Sequence, residues 1–407
     1  MKSTDTKIIY IDPQGERNES YLSDLKASTT LVKKDAATFN TEDKLTLFAL
    51  LHSAVEEGVT PVLFDPKMQI ISKRVKMLGV TAFDEKSEVS ELSKDAYALF
   101  FTSGTTGIPT GALKSEQNIQ GELDALSTIF QDEKFERVIV SVPFIHIYGF
   151  LSGVMLPVRL GCEVLLKEEY WPQDLLKLHE GKKTLIVTTP VYIKSLLRLK
   201  RGVDLSHVVF LSSTGLLLED EVSAFQLKFN SRIVQLFGST ETGGIAFKYG
   251  TDSLWRPLKD VHVSCHNDGV MVVDSPYLST HLLEERLSPL AHPYTTTDII
   301  ELEKDGFRLM GRLNEIIKIS GKRISIVELE SLLEKYLSIQ EVLIRVVRES
   351  KRLKDESLVI ELVSRAQIEK GDITALFKRF YPEINISFEL EHVKKIEKSS
   401  LGKKVRK

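Results

Sequence analysis

Phe100-Phe101-Thr102-Ser103-Gly104-Thr105-Thr106-Gly107-Ile108-Pro109-Thr110-Gly111 is a loop of hydroxyls and glycines entered straight from an apolar run. Glycine lets the backbone curl close to an anion, and the hydroxyls of Ser103, Thr105 and Thr106 add donors. Pro109 ends the pliable part, so the composition suits a phosphate cradle. Residues 98–101 read as a buried strand, and Gly111-Ala112-Leu113 resumes apolar character. Turn chemistry alone favours an ordinary Ser/Thr/Gly surface turn, and it is the company of the segments described below that argues for phosphate. The stretch is not a P-loop, because Lys114-Ser115 follows Leu113 where that pattern requires glycine.

Working outward, short β-rich runs at 61–64, 98–101, 138–142, 163–166, 184–188, 208–211 and 232–237 alternate with helical spacing at 42–57, 174–179 and 191–199. That alternation predicts an α/β fold built on mainly parallel sheets. Ligands of such sheets collect beyond the carboxyl ends of strands. Three polar or glycine-rich segments follow strands in this way: Thr102-Ser103-Gly104, Ser212-Ser213-Thr214-Gly215, and Gly238-Ser239-Thr240-Glu241-Thr242-Gly243-Gly244. From about residue 255 to 312 the pattern changes to short strands and turns, a small β-rich subdomain. After Arg312 comes an α+β module, with helices expected at 326–336 and 372–381 and strands near 342–347, 358–363 and 384–390. The expected domains are residues 1–312 and 315–407.

The length, 407 residues, implies more than one compact core. A net charge of −3 gives no global case for nucleic acid or an anionic membrane surface. The one basic concentration is residues 394–407, with seven Lys or Arg against the single acid Glu397. Cys162 and Cys265 form neither a disulfide framework nor a zinc spacing and read as small buried hydrophobes, which fits a reducing compartment. The opening residues carry too short an apolar run for a signal peptide or a membrane span, so a cytoplasmic protein is expected.

The third segment places an acid, Glu241, among glycines and hydroxyls. A carboxylate beside a phosphate site is unfavourable unless a divalent cation lies between them, and Mg²⁺ with oxygen ligands meets that need. Phe237, one residue before Gly238, could cover a purine ring or pack in a core.

Taken in order, these segments resemble the adenylate-forming superfamily of acyl-CoA and aryl-CoA ligases, carrier-protein ligases, peptide-synthetase adenylation domains and luciferases. The resemblance runs from about Tyr97 to the C-terminus. Thr102 to Gly111 resembles the family's phosphate loop, and Pro143-Phe144-Ile145-His146-Ile147-Tyr148-Gly149 the segment whose His or aromatic lies beside the carboxylate pocket. Ser212 to Leu217 resembles the adenine-side loop, Phe237-Gly238-Ser239-Thr240-Glu241 the aromatic-Gly-x-Thr-Glu motif, and Tyr294-Thr295-Thr296-Thr297-Asp298 the ribose segment. Residues 311–324 resemble the hinge and the start of a mobile domain, and Ser400-Leu401-Gly402-Lys403 the end motif with its catalytic lysine.

The resemblance implies ATP-dependent formation of an acyl adenylate, with release of pyrophosphate, and then acyl transfer to a thiol. It assigns the β- and γ-phosphates to Thr102, Ser103, Gly104, Thr105, Thr106 and Gly107, and the α-phosphate to Thr240. Mg²⁺ falls to Glu241, the adenine to Ser213, Thr214, Gly215, Phe237 and Gly238, and the ribose to Asp298 and Arg312. His146 is placed beside the acid. Lys403 bridges the carboxylate and the α-phosphate, Asn314 is the hinge, and Gly321 faces the incoming thiol. CoA is the expected acceptor, with the phosphopantetheine arm of a carrier protein as the alternative. A non-catalytic nucleotide- or acyl-binding homologue is a second alternative. The chain departs from the pattern at Thr110, where lysine is usual, and Lys114 reads either as a partial replacement or as a solvated lysine. Other departures are Thr297, Asn314, Leu401 and Gly215-Leu216. The stretch before the phosphate loop is also shorter than is usual for the family.

Overall fold

The computed structural model describes the chain except residues 1–4, 30, 33, 40, 42, 86–91, 93–94, 102–108, 314, 320–321, 348–356, 383, 385, 398–403 and 405–407. The chain forms two compact units, one of Met1–Val263 with Val273–Tyr294 and one of Ser264–Val272 with Thr295–Lys407. The expected hinge residue Asn314 lies outside the described residues.

The first unit is built on two large sheets. One has nine strands in the order Arg256–Pro257, Gly243–Tyr249, Arg232–Ser239, Val208–Ser212, Thr184–Thr188, Arg137–Val140, Glu163–Lys167, Lys7–Ile11, Arg17–Tyr21. The six strands from Arg232–Ser239 to Lys7–Ile11 run parallel, and the flanking strands are antiparallel. The central strands are continuous apolar runs, as Thr184-Leu185-Ile186-Val187-Thr188 illustrates, because both sheet faces are covered. Alternate residues divide between those faces. Val138, Val140, Leu185, Val187, Val209 and Leu211 pack with Phe48 and Leu51 of the helix Lys44–Glu57 and Ile119 and Leu123 of the helix Glu116–Ile129. Ile139, Ile186 and Phe210 pack on the other side with Ile193, Val222 and Phe225 from the helices Pro190–Leu197 and Glu219–Phe229.

The second sheet has seven strands, and in it Ala98–Phe101 and Gly111–Lys114 pair antiparallel with Phe101 opposite Gly111. The strands that flank the glycine-rich stretch in sequence are therefore neighbours in the sheet. Helical spacing over 174–179 is realised differently, as a 3₁₀ helix over Pro172–Leu176 followed by turns. Glu180 and Gly181, both at positive φ, bar any helical continuation.

In the second unit, Ile339–Val347, Ser357–Ser364 and Phe388–His392 form a three-stranded sheet. The helices Ile326–Tyr336 and Lys370–Phe380 bury Leu329, Leu333, Ile373 and Phe377 in the same core as Val342, Ile344, Ile360 and Leu362. The last strand lies later than the expected 384–390. No helix among the described residues is long and apolar enough to cross a membrane.

One buried group in the first unit gives the core a pH response. His52 sits on the helix Lys44–Glu57 with its ring 4.8 Å from that of Phe48 and Nε2 3.2 Å from Val154 O. Burial pushes the imidazole down to about 4. Protonation is thus easier in the unfolded chain, near 6.5, so stability is complete above that value and falls as pH drops toward 4. Between pH 7 and pH 5 the loss assignable to His52 is about 2 kcal/mol. Urea unfolding of His52→Gln should lose correspondingly less over that interval than the wild type, and an equal loss would refute the assignment.

Candidate active site

The parallel strands of the nine-stranded sheet reverse their order about Arg137–Val140, whose chain successors Glu163–Lys167 and Thr184–Thr188 lie on its two sides. Such a reversal opens a crevice at the carboxyl edge. Here Ser141 Oγ lies 3.1 Å from Val187 O and 2.8 Å from Thr188 Oγ1. The buried Tyr148 hydroxyl lies 3.0 Å from Thr188 O and 2.7 Å from Leu211 O, closing the gap between two strand ends. His146, half-buried, immediately precedes the short helix Ile147–Gly149, and its carbonyl accepts from Phe150 N at 2.9 Å. The turn depends on Gly149, since a Cβ there would stand 1.9 Å from Pro143 O.

Ser213, Thr214 and Gly215 follow the next strand at the same edge. Ser213 Oγ donates to Leu236 O at 3.0 Å, tying this loop to the neighbouring strand. Thr214 has φ 73°, a conformation that a β-branched residue adopts only under constraint and one that clusters at ligand sites. Phe237 is half-buried, with its ring 5.4 Å from Trp255 at an angle of 48°. The strand register shifts between Phe237 and Gly238, a bulge that re-aims the chain into the following loop.

That loop has its backbone held at several points. Ser239 N donates to Thr242 Oγ1 at 3.0 Å, and Thr242 N to Ser239 Oγ at 3.1 Å. The carbonyl of Thr240 accepts from Ser279 Oγ at 3.2 Å, and that of Glu241 from Ser279 N at 2.8 Å. Gly244 N donates to Glu122 Oε1 at 2.7 Å. Among the described residues, neither the Thr240 hydroxyl nor the Glu241 carboxylate makes a hydrogen bond. The backbone is pinned and the side chains of Thr240 and Glu241 remain available.

Lys114 is neither a solvated lysine nor a substitute phosphate ligand. Its side chain is 0% exposed, and Nζ donates to Tyr277 O at 2.7 Å and to Glu241 O at 3.4 Å. Glu122, on the helix Glu116–Ile129, is 5% exposed. Burial pushes the lysine below its usual value and the glutamate above its own, while their mutual attraction opposes both shifts.

In the second unit Asp298 and Arg312 face each other across the antiparallel strands Tyr294–Glu303 and Gly306–Arg312, with Arg312 Nε 3.1 Å from Asp298 Oδ1. Burial raises the Asp298 carboxyl, and Arg312 opposes that rise. Asp298 N donates to Thr296 Oγ1 at 3.0 Å, which orients the acid.

His146, Ser213 to Gly215 and Phe237 to Glu241 thus share one sheet edge, and Asp298 pairs with Arg312. Thr102 to Gly107, Asn314, Gly321 and Lys403 lie outside the described residues. Sequence reasoning missed Glu122, Trp255, Tyr277 and Ser279. Only Glu122 leaves a signal, a charge inside the apolar stripe Ile119, Leu123, Leu126. For a divalent cation, the described residues offer no cluster of three or more His, Cys, Asp or Glu side chains. A single available carboxylate on a fixed loop fits Mg²⁺, which keeps most of its shell as water and substrate phosphate. Cys162 is buried, its thiol pushed up to about 12, a packing residue.

A family profile described as AMP-binding enzyme matches residues 8–280. The chain is 28% identical over 273 residues to 4-coumarate--CoA ligase of Cereibacter sphaeroides, across 66% of this chain and 61% of that protein. It therefore spans about three fifths of that relative's length. It is 22% identical over 347 residues to 3,4-dihydroxybenzoate--[aryl-carrier protein] ligase of Bacillus anthracis, across 83% of this chain and 80% of that one. Its fold is like that of an O-succinylbenzoate coenzyme A synthetase from Bacillus subtilis solved in complex with ATP and magnesium ion, with a TM-score of 0.80 and 18% identity over 98% of this chain and 96% of that one. The profile match takes in more than half of the chain and contains the strand-edge loops described above, and the chain belongs to the AMP-binding enzyme family of the adenylate-forming superfamily.

Proposed function

We propose that the chain activates a carboxylic acid with ATP and passes the acyl group to a thiol, CoA in the first instance. The observation that carries this reading is the Ser239–Gly244 loop, whose backbone is tied down while the Thr240 hydroxyl and Glu241 carboxylate stay available at a sheet edge. A carboxylate oxygen attacks the α-phosphorus, the bond to the bridging oxygen breaks, and pyrophosphate leaves. The thiol sulfur then attacks the acyl carbon, its proton passes to solvent, and AMP departs. Both partners of the first step are anions, so catalysis rests on positioning and charge stabilisation.

In this reading Thr240 donates to the α-phosphate, and Glu241 holds Mg²⁺, which when bound neutralises phosphate charge. Thr102 to Gly107 hold the outer phosphates, Ser213 to Gly215, Phe237 and Gly238 border the adenine, and Asp298 and Arg312 take the ribose. His146 stands beside the acid. Lys403 supplies a point charge between the carboxylate and the α-phosphate. Movement of residues 315–407 about Asn314 then withdraws Lys403 and brings Gly321 toward the thiol. The likeness to an aryl-carrier-protein ligase supports a second reading, in which the thiol is a carrier's phosphopantetheine arm. The free cysteines Cys162 and Cys265 support a cytoplasmic setting.

Three outcomes test these assignments. Acid-dependent exchange of labelled pyrophosphate into ATP should appear with at least one of a panel of small aromatic, medium-chain and long-chain acids. ATP binding without exchange for any acid would instead make the chain a non-catalytic binder. Lys403→Ala should lower adenylate formation by about 10²–10³-fold while leaving transfer from a supplied acyl adenylate largely intact, and equal loss of both would refute its role. Asp298→Ala should raise KM for ATP by about 10- to 100-fold with KM for the acid unchanged. A parallel rise in both constants would remove Asp298 from the ribose.

A further inference from the structure

We propose that Lys114 and Glu122 are positioning residues that clamp the Thr240–Gly244 loop from within the first unit and thereby set where the Glu241 carboxylate and Thr240 hydroxyl meet the nucleotide. The proposal rests on the reading of that loop as the Mg²⁺ and α-phosphate site. Lys114 ends the strand Gly111–Lys114, and its ammonium donates to the carbonyls of Glu241 and Tyr277. The carboxylate of Glu122 receives Gly244 N three residues further along the same loop. The two side chains thus grip opposite ends of one short segment.

The fit around Glu122 is tight. A Cβ at Gly243, which has φ 70°, would stand 2.5 Å from Glu122 Oε2 and 3.0 Å from Tyr277 Cβ, so the glycine admits both the carboxylate and the left-handed turn. Oε2 is buried without a hydrogen-bond partner. Burying a carboxylate in that position is costly, and the attraction of the Lys114 ammonium offsets part of that cost without cancelling it. Pairing with an acid alone would not require an ammonium that also donates to two carbonyls, one of them that of Glu241. The second carbonyl, of Tyr277, lies two residues before Ser279, which holds the carbonyls of Thr240 and Glu241. Lys114 therefore joins the loop to the segment that supports it.

A clamp of this kind acts on the nucleotide and its metal and leaves the acid untouched. Lys114→Met keeps the apolar stem and removes the charge. The double variant Lys114→Met with Glu122→Gln removes both charges and guards against a single variant that fails to fold on account of an unpaired buried carboxylate. ATP binding should be measured by calorimetry on the full chain, once with Mg²⁺ and once with a chelator, alongside thermal unfolding. Both variants should bind ATP more weakly, about tenfold with Mg²⁺ and by a smaller factor in chelator, where only the Thr240 contact is disturbed, and in pyrophosphate exchange their KM for ATP should rise with KM for the acid unchanged. Lys114→Arg, which keeps the charge and its donors, should restore part of the Mg²⁺-dependent affinity. Variants that stay folded and keep the wild-type gain in affinity from Mg²⁺ overturn the proposal, as does a wild-type chain whose ATP binding is indifferent to Mg²⁺. Exchange measured on the wild type judges the proposed activity separately, so failure of the clamp and failure of that activity give different results.

Discussion

The parallel register of the strands Arg137–Val140, Thr184–Thr188, Val208–Ser212 and Arg232–Ser239 is the constraint on which the site depends. Val140 lies opposite Val187, Thr188 opposite Ser212, and Ser212 opposite Gln235. A slip of one residue in any strand would exchange its two apolar faces, each of which is packed under helices. The same register that satisfies the core therefore brings the ends of these strands to one edge and aligns the polar segments that follow them. The polar groups at Ser141, Tyr148 and Ser213 add cross-strand ties where the ladder runs out.

Within that frame, the Ser239–Gly244 loop separates two tasks that a flexible loop would confound. Its carbonyls and amides are occupied by Ser279, Glu122, Lys114 and its own hydroxyls, and its side chains at Thr240 and Glu241 make no hydrogen bond among the described residues. Preorganisation of this kind moves the ordering cost from the binding step to folding. It also decides the electrostatics. With Thr110 uncharged and Lys114 turned to backbone carbonyls, this part of the first unit contributes hydroxyls and one acid.

Much of this was legible beforehand because it is local. Apolar runs such as Val208 to Leu211 mark buried strands, and an acid set among glycines and hydroxyls, as at Glu241, marks the turn that follows a strand. What escaped notice depends on contacts far apart in sequence. Lys114 and Tyr277 are separated by 163 residues, and Glu122 and Gly244 by 122. No spacing rule reaches that far. Lys114 next to Ser115 reads locally as an exposed charge, and only the sheet pairing that carries residues 111–114 into the core reveals otherwise. The segment 174–179 differs for another reason: its helical spacing is genuine, yet the chain takes it up as a 3₁₀ helix over Pro172–Leu176 and a run of turns that ends at the left-handed residues Glu180 and Gly181.

The outermost strand of the nine-stranded sheet, Arg17–Tyr21, reads Arg-Asn-Glu-Ser-Tyr and is largely exposed. An open strand edge is a template on which other chains can grow, and this one lies beside a broad apolar core. Arg17 and Glu19 are bound to Glu180 and Lys7, so an incoming strand would have to strip water from a charged lattice to add itself there. The hairpin Lys7–Tyr21 thus ends one edge of the sheet in charged side chains that oppose strand addition there.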